Sequence, residues 1–187
     1  MLTIDTSLLI GKGANRYCYQ HPQDANKCIK IGIDPNSPND KLEKKYYQLL
    51  LKRNISWNML AKYCGEENTD LGKGLVFELI RDFNGQVSNT LEYYTENTSQ
   101  IFSEDLFDAL LLLKPYLIEQ QIILRNLKPY NLLYQRINKE EGKMVIIDNI
   151  GHHNSLFHLT DYIKSLAVKD ILKKWNKFES SFIKLSK

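Results

Sequence analysis

The stretch Ile122–Gly151 constrains the fold of this chain more than any other part of the sequence. Leu132–Tyr134 and Met144–Ile147 are apolar runs separated by a polar segment that ends in glycine, a pattern that predicts a β-hairpin. The hairpin would bring Asn131 and Asp148 together at its open end. One carboxylate and one amide oxygen are typical of a Mg²⁺ site that leaves the other positions to phosphates and water. Two ordinary strands that end in an asparagine and an aspartate remain the alternative.

The same stretch resembles the catalytic loop and the metal-binding segment of protein kinases. It reads LRNLKPYN and later DNIG, where those enzymes have H-R-D-L-K-P-x-N and D-F-G. The lysine, proline, asparagine, aspartate and final glycine occur in the same order, but Asn126 stands where the kinases have their catalytic aspartate. The resemblance implies a nucleotide-binding fold in which Asn126 and Lys128 belong to the catalytic loop. It also implies that Asn131 and Asp148 hold Mg²⁺.

Two features near the N-terminus fit the same pattern. Gly11 and Gly13 lie in a turn between two β-like runs, where glycines let backbone N–H groups approach phosphates. A plain hairpin turn explains them equally well. Lys30 lies between Ile29 and Ile31 and should therefore point to the opposite face of its strand. The resemblance implies that Lys30 holds the α- and β-phosphates of ATP, whereas the alternative is an exposed strand lysine.

A helix and a strand follow in the kinase-like order. Apolar residues at helical spacing predict a helix over Lys41–Arg53, with Glu43 in its first turn. A carboxylate there is favoured by the helix dipole, while the resemblance implies that Glu43 pairs with Lys30. Next comes a buried strand that would lead into the kinase hinge. By this resemblance, Glu78 and Ile80 offer backbone groups to adenine.

Composition sets limits on size, location and partners. A chain of 187 residues predicts one domain or two small lobes, and a hydrophobic fraction of 43% is enough for a core. The mild net charge of +3 gives no indication of nucleic-acid binding. Cys18, Cys28 and Cys64 have no metal-site spacing and predict free thiols in a reducing compartment. No signal peptide is expected, and Leu106–Leu124 is too interrupted by charges and proline to predict a transmembrane segment.

The C-terminal segment Leu159–Lys187 is predicted to be helical. Its apolar residues recur every three or four positions, while Lys169, Lys173 and Lys177 form a basic stripe along another face. A solvated face is one interpretation of this stripe. A surface for an anionic substrate or a partner is the other.

Five segments together extend the resemblance beyond protein kinases. They read CYQHPQDANKCIKI, EKKYYQLL, LVFELIRDFNG, LKPYNLL and IIDNIG. In combination they resemble the YrbL family, the PhoP regulatory network proteins of Gram-negative bacteria, which is itself similar to protein kinases. The resemblance implies a bacterial cytoplasmic protein linked to envelope stress or to lipopolysaccharide and polysaccharide genes.

The expected fold is α+β and protein-kinase-like, with two lobes. Residues 1–80 would form a small β-sheet N-lobe, and residues 81–187 a truncated, mostly helical C-lobe without room to dock peptide substrates. ATP and Mg²⁺ are the expected ligands. One function class is phosphotransfer to a small or saccharide, envelope-related substrate, and the second is a pseudokinase that regulates a protein partner in response to nucleotide. Asn126 favours the second class; nucleotidyl transfer is a third option.

Overall fold

A five-stranded antiparallel sheet with the order β1-β2-β3-β5-β4 organises the N-terminal half of the molecule. The computed structural model describes residues 1–34, 38–97, 104–154, 156 and 158–185. A short 3₁₀ turn precedes the first strand, and one helix, α1, crosses between β3 and β4. The elements are β1 (Leu9–Lys12), β2 (Arg16–His21), β3 (Asp24–Gly32), α1 (Pro38–Lys52), β4 (Tyr63–Thr69) and β5 (Gly72–Glu78).

The two faces of the sheet have different partners. Ile29 and Ile31 pack with the N-terminal segment into a small apolar cluster on one face. Gly74 faces them from β5, where an added Cβ would meet the Ile29 side chain at 2.5 Å. Lys30 points to the opposite face, so the predicted alternation along this strand is confirmed. That second face packs against α1 and carries the candidate site.

The C-terminal half combines helices with a two-stranded hairpin. Its elements are α2 (Leu91–Asn97), α3 (Glu104–Gln120), β6 (Leu132–Arg136), β7 (Gly142–Ile146) and α4 (Lys164–Leu185), with 3₁₀ turns before β6 and α4. The predicted hairpin is therefore confirmed, with Leu132 opposite Ile146. One hydrophobic cluster joins the halves, because Tyr47 and Phe77 belong to it together with residues of α3, the hairpin and α4. The class is thus α+β, and the boundary near residue 80 stays a prediction.

Several element predictions need correction. Strand β4 was not predicted because its residues are mostly polar, with two glutamates and an asparagine on a strand at the edge of the sheet. A proline inside a helical segment predicts a kink or a break, but helix α3 continues through Pro115. Proline cannot donate the hydrogen bond to the carbonyl of Leu111. Leu111 is 48% exposed, so water can replace that donor. The helical spacing of Leu106, Phe107, Leu110, Leu113 and Leu117 predicts one buried face, and Phe107 is the exception, at 49% exposure.

Helix α4 follows its predicted pattern. Ile171, Trp175, Phe178 and Phe182 are buried. The three lysines of the basic stripe are exposed, as both interpretations of the stripe require. In the ranges that the structure describes, no helix is both long and apolar enough to cross a membrane.

Candidate functional site

Lys30 and Asp148 meet on the face of the sheet that α1 covers. Lys30 is 7% exposed, and its Nζ lies 3.7 Å from Oδ2 of Asp148. The same ammonium donates a hydrogen bond to the carbonyl of Ile147 and lies 4.7 Å from the centre of the Phe77 ring. A lysine from β3 and a carboxylate from the end of the hairpin, distant in sequence, are therefore in contact.

The hairpin positions Asn131 beside this pair. The Ile147 N–H donates to the Asn131 carbonyl at 3.0 Å, which holds Asn131 at the base of the segment that carries Asp148. Asn131 is buried, and its Nδ2 has no hydrogen-bond partner among the described residues. An amide side chain that is held by its backbone and has unused hydrogen-bonding capacity is suited to contact a ligand.

Glu43 occupies the site with a different partner from the one expected. It is 2% exposed and forms its ion pair with Arg16 of β2. No ion pair between Lys30 and Glu43 occurs in the described part of the chain, so the predicted pairing is wrong here. Because α1 begins at Pro38, Glu43 lies in its second turn and the helix dipole does not explain the carboxylate. The ion pair with the buried guanidinium of Arg16 explains it.

Arg16 links the three carboxylates of the site. Its Nη2 donates to Oδ1 and Oδ2 of Asp148 at 2.6 and 2.7 Å, while its Nη1 contacts Glu43 and lies 3.4 Å from Asp40. Such bidentate, charge-assisted contacts are among the strongest hydrogen bonds in proteins. The site is consequently a closed network of two cations and three carboxylates.

The charges in this network shift one another's ionisation. Burial opposes the ionised form of Asp148, but Lys30 and Arg16 hold the pKa of that carboxyl well below its usual range. For Glu43, burial outweighs the attraction of Arg16 and raises the pKa. Asp148 is therefore firmly anionic at neutral pH, as a metal ligand must be, whereas Glu43 depends on Arg16 for its charge.

The segment that carries Asn126 is tied to the DNIG segment. Asn149 donates through Nδ2 to Oδ1 of Asn126 at 3.1 Å, and the Arg125 N–H donates to the Asn149 carbonyl at 2.7 Å. Two residues separate Asp148 from Gly151, one more than in D-F-G. Asn149 accommodates the extra residue with a φ of 64°. Asn126 itself is exposed at this junction.

Lys128 lies on the same loop. It is exposed and precedes the 3₁₀ turn Pro129–Asn131 in an extended conformation. The proline restricts the residue before it to this conformation. Lys128 and Asn126 border a cavity that faces α4, so both loop residues predicted as catalytic are accessible.

The protein around the turn leaves room for a side chain at both Gly11 and Gly13. A Cβ added to Gly11 would meet nothing within 4 Å, and one on Gly13 would lie 3.6 Å from the Arg16 carbonyl. The Gly13 N–H already donates to that carbonyl at 2.8 Å. Nothing in the protein requires glycine at either position, and a ligand contact stays a prediction.

The two residues predicted for a hinge, Glu78 and Ile80, already use part of their backbone hydrogen-bonding capacity. The Glu78 N–H donates to Lys62 and the Ile80 carbonyl accepts from Ser88, at 2.9 and 3.1 Å. The Glu78 carbonyl accepts a long contact from Cys28 Sγ at 3.9 Å. The role of both residues stays a prediction.

Sequence reasoning missed Arg16 as a member of the site. Residues directly opposite in an antiparallel pair share a face, and Cys18 of β2 lies opposite Lys30 of β3. Alternation along β2 then places Arg16 on that face as well. The signal existed, but it required the register between the two strands, which the sequence did not provide.

Cys18 gives a test of the electrostatics at this face. A hydrogen bond from Cys28 lowers the pKa of Cys18 to about 7; burial opposes the shift, and Lys30 adds to it. The pKa of the exposed Cys64 is raised. We expect alkylation of Cys18, followed by peptide mass spectrometry across pH, to show a midpoint near 7, while Cys64 in the same sample titrates above its ordinary value. A Cys18 midpoint between about 8 and 9 would show that the hydrogen bond from Cys28 and the nearby cations do not together stabilise the Cys18 thiolate.

The site also differs from a transition-metal centre. In the described part of the chain, no group of three or more histidines, cysteines or acidic residues is arranged to hold a metal ion. Asp148 and Asn131 provide one carboxylate and one amide at the end of the hairpin. Such a sparse oxygen donor set suits a cation that also binds phosphate and water.

Comparisons with known proteins place the chain in a family. The family model described as "PhoP regulatory network protein YrbL" matches residues 2–182. A protein of Escherichia coli (strain K12) named "Uncharacterized protein YrbL" is 35% identical over 184 residues, which cover 95% of this chain and 86% of that protein. The protein of the same name from Shigella flexneri shows the same identity and coverage. The chain therefore belongs to the YrbL family of PhoP regulatory network proteins.

Proposed function

We propose that this protein has a protein-kinase-like, two-lobed fold and binds ATP with Mg²⁺ on the Lys30 face of the sheet. We propose further that it transfers a phosphoryl group to a small or saccharide acceptor related to the cell envelope. The approach of Lys30 Nζ to Asp148 Oδ2, at 3.7 Å, carries the proposal. A phosphate-binding cation and a metal-binding carboxylate are the two groups that nucleotide sites of this type need side by side.

The residues present fit Mg²⁺. Asp148 is ionised at neutral pH, and Asn131 lies next to it, held by the hydrogen bond from the Ile147 N–H to its carbonyl. Both groups offer oxygen, the ligand that Mg²⁺ prefers. Asp148 and Asn131 would hold the ion, with the remaining positions left to phosphate and water.

Arg16 is the group that must move for this to happen. Its guanidinium engages both carboxylate oxygens of Asp148. A divalent cation and a guanidinium compete for the same lone pairs, so metal binding requires Arg16 to release Asp148. Glu43 remains as a partner for Arg16, which keeps the displaced cation from being stranded in a buried place.

The chain's own residues would then divide the remaining work. Mg-ATP, when bound, supplies the transferable phosphoryl group. Lys30 would donate hydrogen bonds to phosphate oxygens, and Lys128 would offset negative charge near the acceptor. Asn126 can orient an acceptor through a hydrogen bond but cannot take a proton from it at neutral pH. Turnover on a neutral hydroxyl would therefore be slow.

Calorimetric titration and thermal unfolding test the proposal. Ligand that binds only the native state at 100 times its Kd stabilises it by about 2.7 kcal/mol, which raises Tm by about 5–10 °C for a chain of this size. We expect Mg-ATP to produce a shift that grows with concentration. Absence of both binding heat and a Tm shift at millimolar ATP, with Mg²⁺ or Mn²⁺, would exclude the nucleotide site.

Alanine at the two turn glycines gives a second test. We expect Gly11→Ala and Gly13→Ala to leave Tm nearly unchanged, because neither Cβ would clash within the protein. If backbone N–H groups of this turn approach phosphates, the added methyl groups should weaken ATP binding, as measured by calorimetry. Unchanged affinity in both variants would show that nucleotide does not contact the turn.

A regulatory module that responds to nucleotide is the second candidate function. Two observations favour it: Asn126 replaces a base, and Arg16 occupies the oxygens of Asp148. Displacement of Arg16 by metal and nucleotide would alter the contact between β2 and α1 and so report ligand binding to a partner. The family description as a PhoP regulatory network protein agrees with this role, and the three free thiols agree with a cytoplasmic location.

A further inference from the structure

A cavity of about 370 Å³ separates the loop 125–129 from helix α4. Its volume lies in the range of small-molecule sites. Asn126 and Lys128 line it on one side, and residues 170–182 of α4 line the other. Any molecule in this cavity would lie against the two loop residues that the proposed phosphotransfer assigns to the acceptor.

The charge of the cavity is strongly one-sided. Its single carboxylate in the described part of the chain, Asp170, is bound by Lys174 at 2.6 Å. Lys128, Lys173 and Lys177 are exposed cations, and within the described residues no ion pair joins them to a carboxylate. Like charges four residues apart on a helix destabilise it, so the pair Lys173 and Lys177 has no role in holding α4 together. An anion between these lysines and Lys128 would relieve the repulsion.

The floor of the cavity has a different character. Phe178 and Phe182 stack with ring centres 5.4 Å apart and planes inclined by 22°. Both line the cavity and are otherwise buried. The small exposed parts of these rings make this side of the cavity apolar, which suits contact with the C–H groups of a small ring.

We propose that this cavity is the acceptor site and that it takes a monosaccharide carrying a phosphate or carboxylate group. The role of the bound sugar as phosphoryl acceptor rests on the proposed phosphotransfer, whereas the binding of the sugar is inferred from the cavity alone. The lysines would hold the anionic group and the phenylalanines the ring. An anionic oxygen of that phosphate or carboxylate would attack the γ-phosphorus of ATP, so that a new oxygen–phosphorus bond forms, the bond to the β,γ-bridging oxygen breaks and ADP leaves. Such a nucleophile carries no proton and needs no general base, which agrees with Asn126 in place of aspartate.

Other lysines of helix α4 provide a matched control. Lys173 and Lys177 line the cavity, while Lys164 and Lys169 are exposed on the same helix and do not. The variant Lys173→Gln/Lys177→Gln therefore removes the same charge from the same helix as Lys164→Gln/Lys169→Gln. Both should fold with nearly wild-type Tm, because exposed lysines contribute little to stability.

Calorimetry with glucose 6-phosphate, glucuronate, glucose and inorganic phosphate tests the site. We expect wild type and the Lys164/Lys169 control to bind at least one anionic sugar better than glucose or phosphate alone. The Lys173/Lys177 variant should bind it at least about tenfold more weakly, since each hydrogen bond to a charged group is worth about that factor. Its affinity should also vary less with salt.

The outcomes separate this inference from the proposed function. If ATP binds but neither anionic sugar binds wild type at millimolar concentration, the acceptor site is refuted and the nucleotide site stands. Equal loss in both lysine variants would refute it too, because it would reflect net charge rather than the cavity. If the sugar binds as expected while ATP does not, the cavity remains a binding site and the phosphotransfer proposal fails.

Discussion

Replacement of Asp148 by alanine should abolish the magnesium-dependent part of nucleotide binding. Asp148 lies at the open end of the hairpin beside Asn131 and is ionised at neutral pH. Without it, Asn131 alone cannot replace the hydration shell that Mg²⁺ holds tightly. We expect the ligand-induced rise in Tm at 100 Kd, about 5–10 °C for wild type, to become independent of Mg²⁺ and to shrink towards zero.

The matched control for this variant is Asp24→Ala. Asp24 has 34% side-chain exposure and an ion pair with Lys27, against 31% and an ion pair with Lys30 for Asp148. Both variants remove one negative charge that is paired with a lysine, so an effect of net charge alone would appear in both, whereas only Asp148→Ala also removes a partner of Arg16. The metal site is refuted if Asp148→Ala keeps the full magnesium-dependent shift, or if Asp24→Ala loses it as well.

Asn126→Asp should produce the largest change in rate. A positioned general base is worth about 10²–10⁴-fold, so transfer to a neutral hydroxyl acceptor should rise by up to that factor. The carboxylate can still accept the hydrogen bond that Asn149 now donates, and the loop should keep its conformation. Nucleotide affinity should be unchanged or slightly weaker, while transfer to an anionic acceptor should fall because of repulsion.

Radiolabelled transfer assays on wild type, Asn126→Asp and Asn84→Asp would measure this effect. Asn84 lies in an exposed turn far along the chain from the loop, so its substitution makes the same chemical change away from the site. If nucleotide binds to all three proteins and none of them turns over, the enzyme interpretation fails. The regulatory module is then the function to pursue.

The sequence alone determined much of this protein, because the relevant signals are local. Alternation around Lys30 and the two apolar runs before Asp148 required only neighbouring residues, and the structure confirms both. The same holds for the apolar face of α4, which recurs every three or four positions. Family membership also follows from motifs that can be read along the chain.

Only the tertiary structure decided which charges meet. Glu43 was expected to pair with Lys30, yet it pairs with Arg16, because the register of β2 against β3 places the guanidinium between Glu43 and Asp148. Sequence order cannot choose among cations that reach the same carboxylate, since that choice depends on distances across three elements. The cavity between Lys128 and Lys173 also depends on distances between elements that the sequence does not give. Helical periodicity brought the lysines of α4 to one face, but only packing placed part of that face opposite the loop.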